Sequence, residues 1–164
     1  MQNILFGLRV KPTNNFLGTD GSGDAISIYE DGMIQYDHFV FRSDVPVSSV
    51  KVRKDRIIVK EIQKVLTKYK KDIEHIPVNI NNQTDDGTWY IFTFCDKTIT
   101  IDNPFRYEEG DIILFSQYGA TYIPPHDENE NKIFLPYYNN TLLDILDEVS
   151  TILARYDLPL LGPV

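Results

Sequence analysis

The chain has 164 residues, one cysteine and a formal net charge of −8 at pH 7, from 16 basic and 24 acidic side chains. This is the length of one ordinary domain, and an apolar content of 42% is enough for a core, which argues against intrinsic disorder. A single cysteine excludes an intramolecular disulfide and a cysteine zinc cage. We therefore expect one globular domain over residues 1–164.

The N-terminal segment has the alternating pattern of a strand. Its apolar residues of one parity are Ile4, Phe6, Leu8 and Val10. Such a period of two is typical of a strand with one buried face. Gly7 and Arg9 interrupt the apolar stretches, so the segment lacks a signal-peptide core and a membrane span. We expect a first strand, in a soluble cytoplasmic protein that makes no membrane contact.

The segment from Asp20 to Asp24 has oxygen-bearing side chains at alternate positions among glycines. A calcium loop has this local chemistry. However, Ala25 stands where such a loop requires glycine, and the flanking segments have strand patterns. We interpret the segment as a plain loop.

A hairpin is predicted over residues 25–42, with its turn at Glu30-Asp31-Gly32. A three-residue loop gives the pairs Ile28–Ile34 and Ile26–Tyr36. This register collects four apolar side chains on one face and requires Gly32 in the left-handed conformation. Beyond His38 the parity of the apolar residues changes at Phe39, which predicts a bulge or bend.

The next segment has apolar residues at helical spacing. They are Ile58, Ile62, Val65, Leu66, Tyr69, Ile73 and Ile76. A helix places all of them on one stripe, which a strand does not. Asp55 is the predicted N-cap, and Pro77 is expected to end the helix.

The same part of the chain is strongly basic. The segment from Lys51 to Lys71 contains nine basic and two acidic residues. Its local charge is therefore +7, which leaves −15 for the rest of the chain. We interpret this run as a solvated helix face. Its binding candidates are Lys60, Lys64, Lys68 and Lys71. Because the acidic remainder would repel a phosphate backbone, the charge distribution disfavours nucleic acid as the partner.

A second hairpin is predicted over residues 89–101, with Asp96-Lys97 as its turn. The expected pairs are Phe94–Ile99 and Phe92–Ile101, which put four apolar side chains on one face. Cys95 then lies inside a strand, without a local signature of reactivity. We expect a packed core thiol at this position.

The last third of the chain has weaker patterns. Short strands are predicted over Ile112–Phe115 and Ile133–Tyr137, and a second amphipathic helix over Leu142–Tyr156. Thr141 and Asp144 match a capping box with aspartate in place of glutamate. In the resulting element order the strands are adjacent in sequence. This order predicts an α+β fold, an antiparallel sheet of about five to seven strands with two amphipathic helices packed on one face.

The histidines are His38, His75 and His126, and their spacing matches no metal motif. The densest set of potential metal-ligand side chains is His126, Asp127 and Glu128. This set is a weak candidate for a metal site, and the competing interpretation is a solvated acidic loop. His75 is expected to complement the negative end of the first helix. We expect no cofactor.

Tyrosines crowd the second half of the chain. They are Tyr118, Tyr122, Tyr137 and Tyr138. Tyrosine near asparagine on loops is typical of protein interfaces. Packing in the core with the hydroxyl at the rim is the competing interpretation.

No catalytic motif emerges from the sequence, so we expect a small non-enzymatic protein that binds another macromolecule, with a protein as the expected partner. An immunity, antitoxin or phage-inhibitor role suits an acidic domain of this size. The first alternative is a small hydrolase or metal-dependent enzyme with a site built from loops 20–31, 81–88 and 124–130. The second is nucleic-acid binding through the basic helix face at 51–71. The patterns set no oligomeric state.

Overall fold

The computed structural model describes residues 3–12, 23–40, 43–54, 56–80, 82, 88–106, 108, 112–116, 119–122 and 135–162. Within these ranges the protein has an α+β fold of nine strands and three helices. The strands are β1 (Ile4–Pro12), β2 (Gly23–Tyr29), β3 (Met33–Phe39), β4 (Ser48–Arg53), β5 (Asn79–Ile80), β6 (Thr88–Phe94), β7 (Lys97–Asp102), β8 (Ile112–Ser116) and β9 (Gly119–Tyr122). The helices are α1 (Arg56–Lys68), α2 (Lys70–His75) and α3 (Leu135–Arg155).

Seven strands form one sheet in the order β4-β3-β2-β1-β6-β7-β5, and β8 pairs with β9 in a separate two-stranded sheet. Every pairing in the large sheet is antiparallel except that of β5 with β7. The strand β4 therefore forms one edge of this sheet and β5 the other.

One face of the large sheet carries the core. Leu8 lies between Ile26 of β2 and Phe92 of β6, and Ile26 in turn pairs with Tyr36. Buried side chains of α1 and α3 belong to the same apolar cluster as these residues. The members of that cluster on α1 and α3 are Ile58, Val59, Ile62, Val65, Leu142, Ile145, Leu146, Val149, Ile152 and Leu153, and α2 adds Ile73.

The first hairpin has the predicted register, with Ile28 opposite Ile34 and Ile26 opposite Tyr36. Gly32 has a φ of 92°, and a Cβ there would lie 2.5 Å from the Lys54 carbonyl oxygen, so the turn requires glycine.

The bulge predicted beyond His38 is wrong as far as the described pairing extends, because β2 and β3 stay in register up to Gly23–Phe39. Phe39 instead is buried on the opposite face of the sheet, where the Arg9 guanidinium lies 3.9 Å from its ring centre. The change in the parity of the apolar residues at Phe39 thus reflects burial of side chains on both faces of the sheet.

The predicted single helix is two helices, so the described part contains three helices rather than the two expected. The helix α1 ends at Lys68, and α2 begins at Lys70 after Tyr69. The predicted stripe remains buried at Ile58, Ile62 and Val65. The helix α2 ends at His75 before Pro77, as expected; Asp55 lies outside the described residues.

The helix α3 begins seven residues before its predicted start, at Leu135. Thr141 and Asp144 therefore lie inside the helix, and the predicted capping box is wrong, as is the strand prediction for residues 135–137. The first turns of the helix are held by a polar contact, since Asn139 is fully buried and exchanges amide hydrogen bonds with Asn82 at 3.0 and 3.1 Å. The apolar period does not reveal this first turn.

The second hairpin is shifted by two residues from its predicted register. Phe94 pairs with Lys97 and Phe92 with Ile99, so Cys95 and Asp96 form the turn. A shift of two preserves parity, and the same apolar side chains remain buried. The core-thiol prediction is wrong, because Cys95 is exposed and has a φ of 52°.

Candidate functional site

Most of the predicted site residues in the second half lie in other surroundings than expected, or outside the described part. His126, Asp127, Glu128 and Tyr118 are outside the described residues. Tyr122 is the last residue of β9. Tyr137 and Tyr138 lie in α3 rather than in a loop, both half-buried, and Tyr138 packs against the core.

The loop-built site of the enzyme alternative has described residues at 23–31, 82 and 88. Residues 23–29 belong to β2, so this segment is a strand and not a loop. No group of three or more histidine, cysteine, aspartate or glutamate side chains in the described part is arranged to hold a metal ion. His75 Nδ1 donates to the Lys71 carbonyl oxygen at 2.6 Å, in the last turn of α2.

The basic run occupies three elements instead of one helix face. Lys51 and Arg53 are on β4, Lys60, Lys64 and Lys68 on α1, and Lys71 on α2. These side chains are exposed.

Two of the α1 lysines, Lys64 and Lys68, lie beside acidic side chains of α3. Lys68 Nζ is 2.7 Å from Glu148 Oε1, and this hydrogen bond raises the pKa of Lys68 and lowers that of Glu148. Asp147 and Lys64 line the same shallow groove between the two helices, about 410 Å³ in volume. Charges that neutralise each other within the molecule attract a phosphate backbone weakly.

The two edges of the large sheet differ. The edge strand β5 has two residues, and so short an edge offers little for another strand to pair with. The edge strand β4 has six, of which all except the half-buried Val52 are exposed. Among the described residues, β3 is its one pairing partner.

Apolar side chains are exposed around β4. The exposed fraction is 72% for Val45, 59% for Val47 and 43% for Val50. Together with Lys51 and Arg53, which lie in the same stretch of chain, we call these residues the β4 edge surface. Exposed apolar side chains beside a strand edge with which no further described strand pairs are typical of a protein-binding site.

The segment that leads into β4 is held in place by the outer face of the sheet. Arg9 of β1 contacts the Asp44 carboxylate at 3.0 Å and donates to the Ser43 carbonyl oxygen at 3.0 Å. The Val45 N–H donates to Ser43 Oγ at 3.1 Å, which forms a local turn. Val45 and Val47 are therefore presented by an ordered segment, and ordering before binding reduces the entropy lost on association.

The backbone of β4 offers hydrogen-bonding groups at its outer edge. The Lys54 N–H donates to the Gly32 carbonyl at 3.0 Å, in line with the register that pairs Ile34 with Val52. Because inward and outward bonds alternate along an antiparallel strand, the N–H and C=O groups of Ser49, Lys51 and Arg53 point away from β3.

A small cavity lies at the same end of the sheet, on its inner face. It has a volume of about 310 Å³, and its lining includes Asp24, Tyr36, His38, Ser48 and Val50. His38 Nδ1 lies 2.8 Å from Asp24 Oδ1, and both side chains are about two-fifths exposed, at 42% and 41%. Burial raises the pKa of Tyr36 to about 12.

No known family model matches the chain, and no curated protein sequence matches it either. No helix in the described part of the chain combines the length and the apolar character that crossing a membrane requires.

Sequence reasoning missed both features at the β4 end of the sheet, although each left a signal. Val50 and Val52 alternate with Lys51 and Arg53, which is the pattern of a half-exposed strand. The pairing of Asp24 with His38 follows from the predicted register of the first hairpin, extended by two residues.

Proposed function

We propose that this protein is a protein-binding module whose partner adds an extended, acidic segment to the free edge of β4. The observation that carries the proposal is the β4 edge surface, which combines exposed valines with outward backbone groups. In such strand addition the backbone hydrogen bonds supply affinity, and alternate side chains supply specificity.

The charge of the surface favours an acidic segment. Lys51 and Arg53 are exposed on the same face of β4, and an opposite charge on the neighbouring strand stabilises a cross-strand pair. Arg53 also lies 3.7 Å from the Asp31 carboxylate, so Lys51 is the stronger determinant. Apolar residues that alternate with the acids would cover Val45, Val47 and Val50.

A second copy of this chain is a poorer occupant of the edge. It would bring another Lys51 and Arg53 into the same ribbon, where like charges destabilise the pairing. It would also bring two molecules of net charge −8 together. Nucleic acid is disfavoured because acidic side chains of α3 lie beside the α1 lysines.

The test is a fluorescence-anisotropy titration with two short synthetic peptides, one alternating valine with glutamate and the other valine with lysine. The native protein is expected to bind the glutamate peptide more tightly. In the variant K51E/R53E the preference should reverse, with affinity for the glutamate peptide at least about tenfold lower. Amide exchange should slow at residues 49, 51 and 53 when the peptide is bound.

Two matched controls separate the edge from general effects. K60E/K64E changes the net charge by the same amount on α1 and should leave peptide binding unchanged. V45D/V47D should weaken binding, whereas V78D, at a valine that is 55% exposed elsewhere, should not. Equal losses in K51E/R53E and K60E/K64E would show unspecific charge attraction and overturn the proposal.

An immunity, antitoxin or phage-inhibitor role is the biological setting that we propose for such a module. In each of these roles a small domain neutralises one protein partner, and an ordered edge strand with local charge complementarity suits a tight, specific contact.

A further inference from the structure

Three side chains of adjacent strands form a row across the inner face of the sheet. Asp24 of β2 is directly opposite His38 of β3, and His38 is directly opposite Ser48 of β4. Residues opposite each other in an antiparallel pair have Cβ atoms about 5 Å apart. All three residues line the cavity of about 310 Å³ described above.

The contact between Asp24 and His38 orients the imidazole. His38 Nδ1 is 2.8 Å from Asp24 Oδ1, a hydrogen bond in which the nitrogen donates when the carboxylate is ionised. The proton is then on Nδ1, and Nε2 is left as the acceptor. This is the tautomer that a general base beside a hydroxyl requires.

Ser48 is fixed beside this pair by the backbone. The neighbouring Val47 N–H donates to the His38 carbonyl oxygen at 2.8 Å, which ties the beginning of β4 to His38.

We propose that Ser48 is an acyl-transfer nucleophile, with His38 as its general base and Asp24 as the positioning residue, and that the substrate is a carboxylic ester. Ser48 Oγ bonds to the ester carbonyl carbon while its proton passes to His38 Nε2. The bond from that carbon to the alkoxy oxygen breaks, and the alcohol leaves with the proton from His38. Water repeats the sequence, which releases the acid and restores Ser48.

The proposal is tested by labelling the full chain with a fluorophosphonate probe, followed by peptide mass spectrometry. We expect one label per chain, at Ser48, and none at this peptide in S48A. H38A and H38Q should each slow the labelling by about a hundredfold or more. S27A, a serine of β2 outside the cavity, should label at the native rate.

The role of Asp24 has a separate readout, the pH profile of p-nitrophenyl acetate hydrolysis. D24N should lower the rate and change the shape of the profile, and D24E should restore part of both. A purely structural role would lower the rate in D24N without moving the profile. Circular dichroism of each variant identifies any that fail to fold. If H38A fails to fold, H38Q replaces it in the labelling experiment.

The absence of a label from the folded native protein would overturn the inference, and so would equal labelling of native protein and H38Q. Neither result bears on the proposed binding role, because peptide binding at the edge is measured without the probe. Conversely, failure of the peptide-binding predictions for K51E/R53E would not change the labelling expected at Ser48.

Discussion

At the scale of single residues, Tyr36 links the sheet to the C-terminal segment. Its side chain is 4% exposed, and its hydroxyl donates to the Pro159 carbonyl oxygen at 2.6 Å. Burial raises its pKa from 10.0 to about 12, so the folded protein retains this proton at a pH where the unfolded chain loses it. The stability that Tyr36 contributes is complete below pH 10 and is lost as the pH rises towards 12.

We expect Y36F to lower the free energy of unfolding by about 1 kcal/mol at neutral pH, through the lost hydrogen bond. Urea unfolding should show a shallower loss of stability in Y36F than in the native protein between pH 10 and 12. Y90F is the control, since Tyr90 is a half-buried tyrosine of the same sheet. Identical slopes in Y36F and native protein would contradict the assignment.

Cys95 occupies a turn position that favours glycine. Its φ of 52° is in the left-handed region, at the first of the two turn residues between β6 and β7. We expect C95G to raise the free energy of unfolding by up to about 1 kcal/mol, because glycine adopts this conformation without steric strain. Thermal unfolding measures the gain.

C95A is the comparison for this prediction. Alanine retains the Cβ and therefore the strain, so it should give no gain over cysteine. A similar gain in both variants would show that loss of the thiol, and not relief of the backbone, is responsible.

At the scale of elements, α2 is held by a lysine from the sheet. Lys97 Nζ of β7 donates to the carbonyl oxygens of Ile73 at 2.7 Å, Glu74 at 3.2 Å and Ile76 at 2.5 Å. The last carbonyls of a helix have no partners within it, and a cation near them complements the helix dipole. Lys97 thus caps this short helix from outside.

We expect K97M to lower the free energy of unfolding by about 1–3 kcal/mol, the range for hydrogen bonds to charged groups. Amide exchange measured by mass spectrometry should accelerate over residues 70–76 more than elsewhere. K71M removes an exposed lysine from α2 itself and should change exchange little. Uniform acceleration over the whole sheet would argue that Lys97 acts on the fold in general.

The elements also show where the sequence pattern was sufficient. The first hairpin was predicted in its exact register, because Gly32 and one set of apolar pairs agree on one loop length. The second hairpin was predicted two residues out of register, because parity alone does not distinguish Phe92–Ile99 from Phe94–Ile99. The positive φ of Cys95, which decides the turn, has no signal in a cysteine.

The candidate site could be predicted less well than the fold. The strand β4 left a short alternation of Val50 and Val52 with Lys51 and Arg53, but it was missed because these two cations were assigned to the basic helix face. The row of Asp24, His38 and Ser48 depends on two strand pairings at once, and the second of these involves β4. Long-range pairing of this kind leaves no local period in the sequence.

At the scale of the whole molecule, local charge and net charge oppose each other. The protein carries −8 overall, yet the β4 edge surface carries two exposed cations, Lys51 and Arg53. Charged side chains on an open edge strand also prevent pairing with further copies of the same chain. In the binding role that we propose, the two cations select an acidic partner and oppose self-pairing at the same edge.

The variant K51T/R53T distinguishes these two levels of charge. It removes two positive charges and takes the net charge from −8 to −10, so repulsion between whole molecules increases. If the edge governs association, the variant nevertheless self-associates more strongly than the native protein. Threonine favours strands, and the variant no longer has positive charges beside Val45, Val47 and Val50 to oppose pairing. Sedimentation velocity over a range of concentrations measures this. K60T/K64T reaches the same net charge through α1 and should sediment as the native protein does; equal behaviour of the two variants would assign association to net charge and remove the protective role of Lys51 and Arg53.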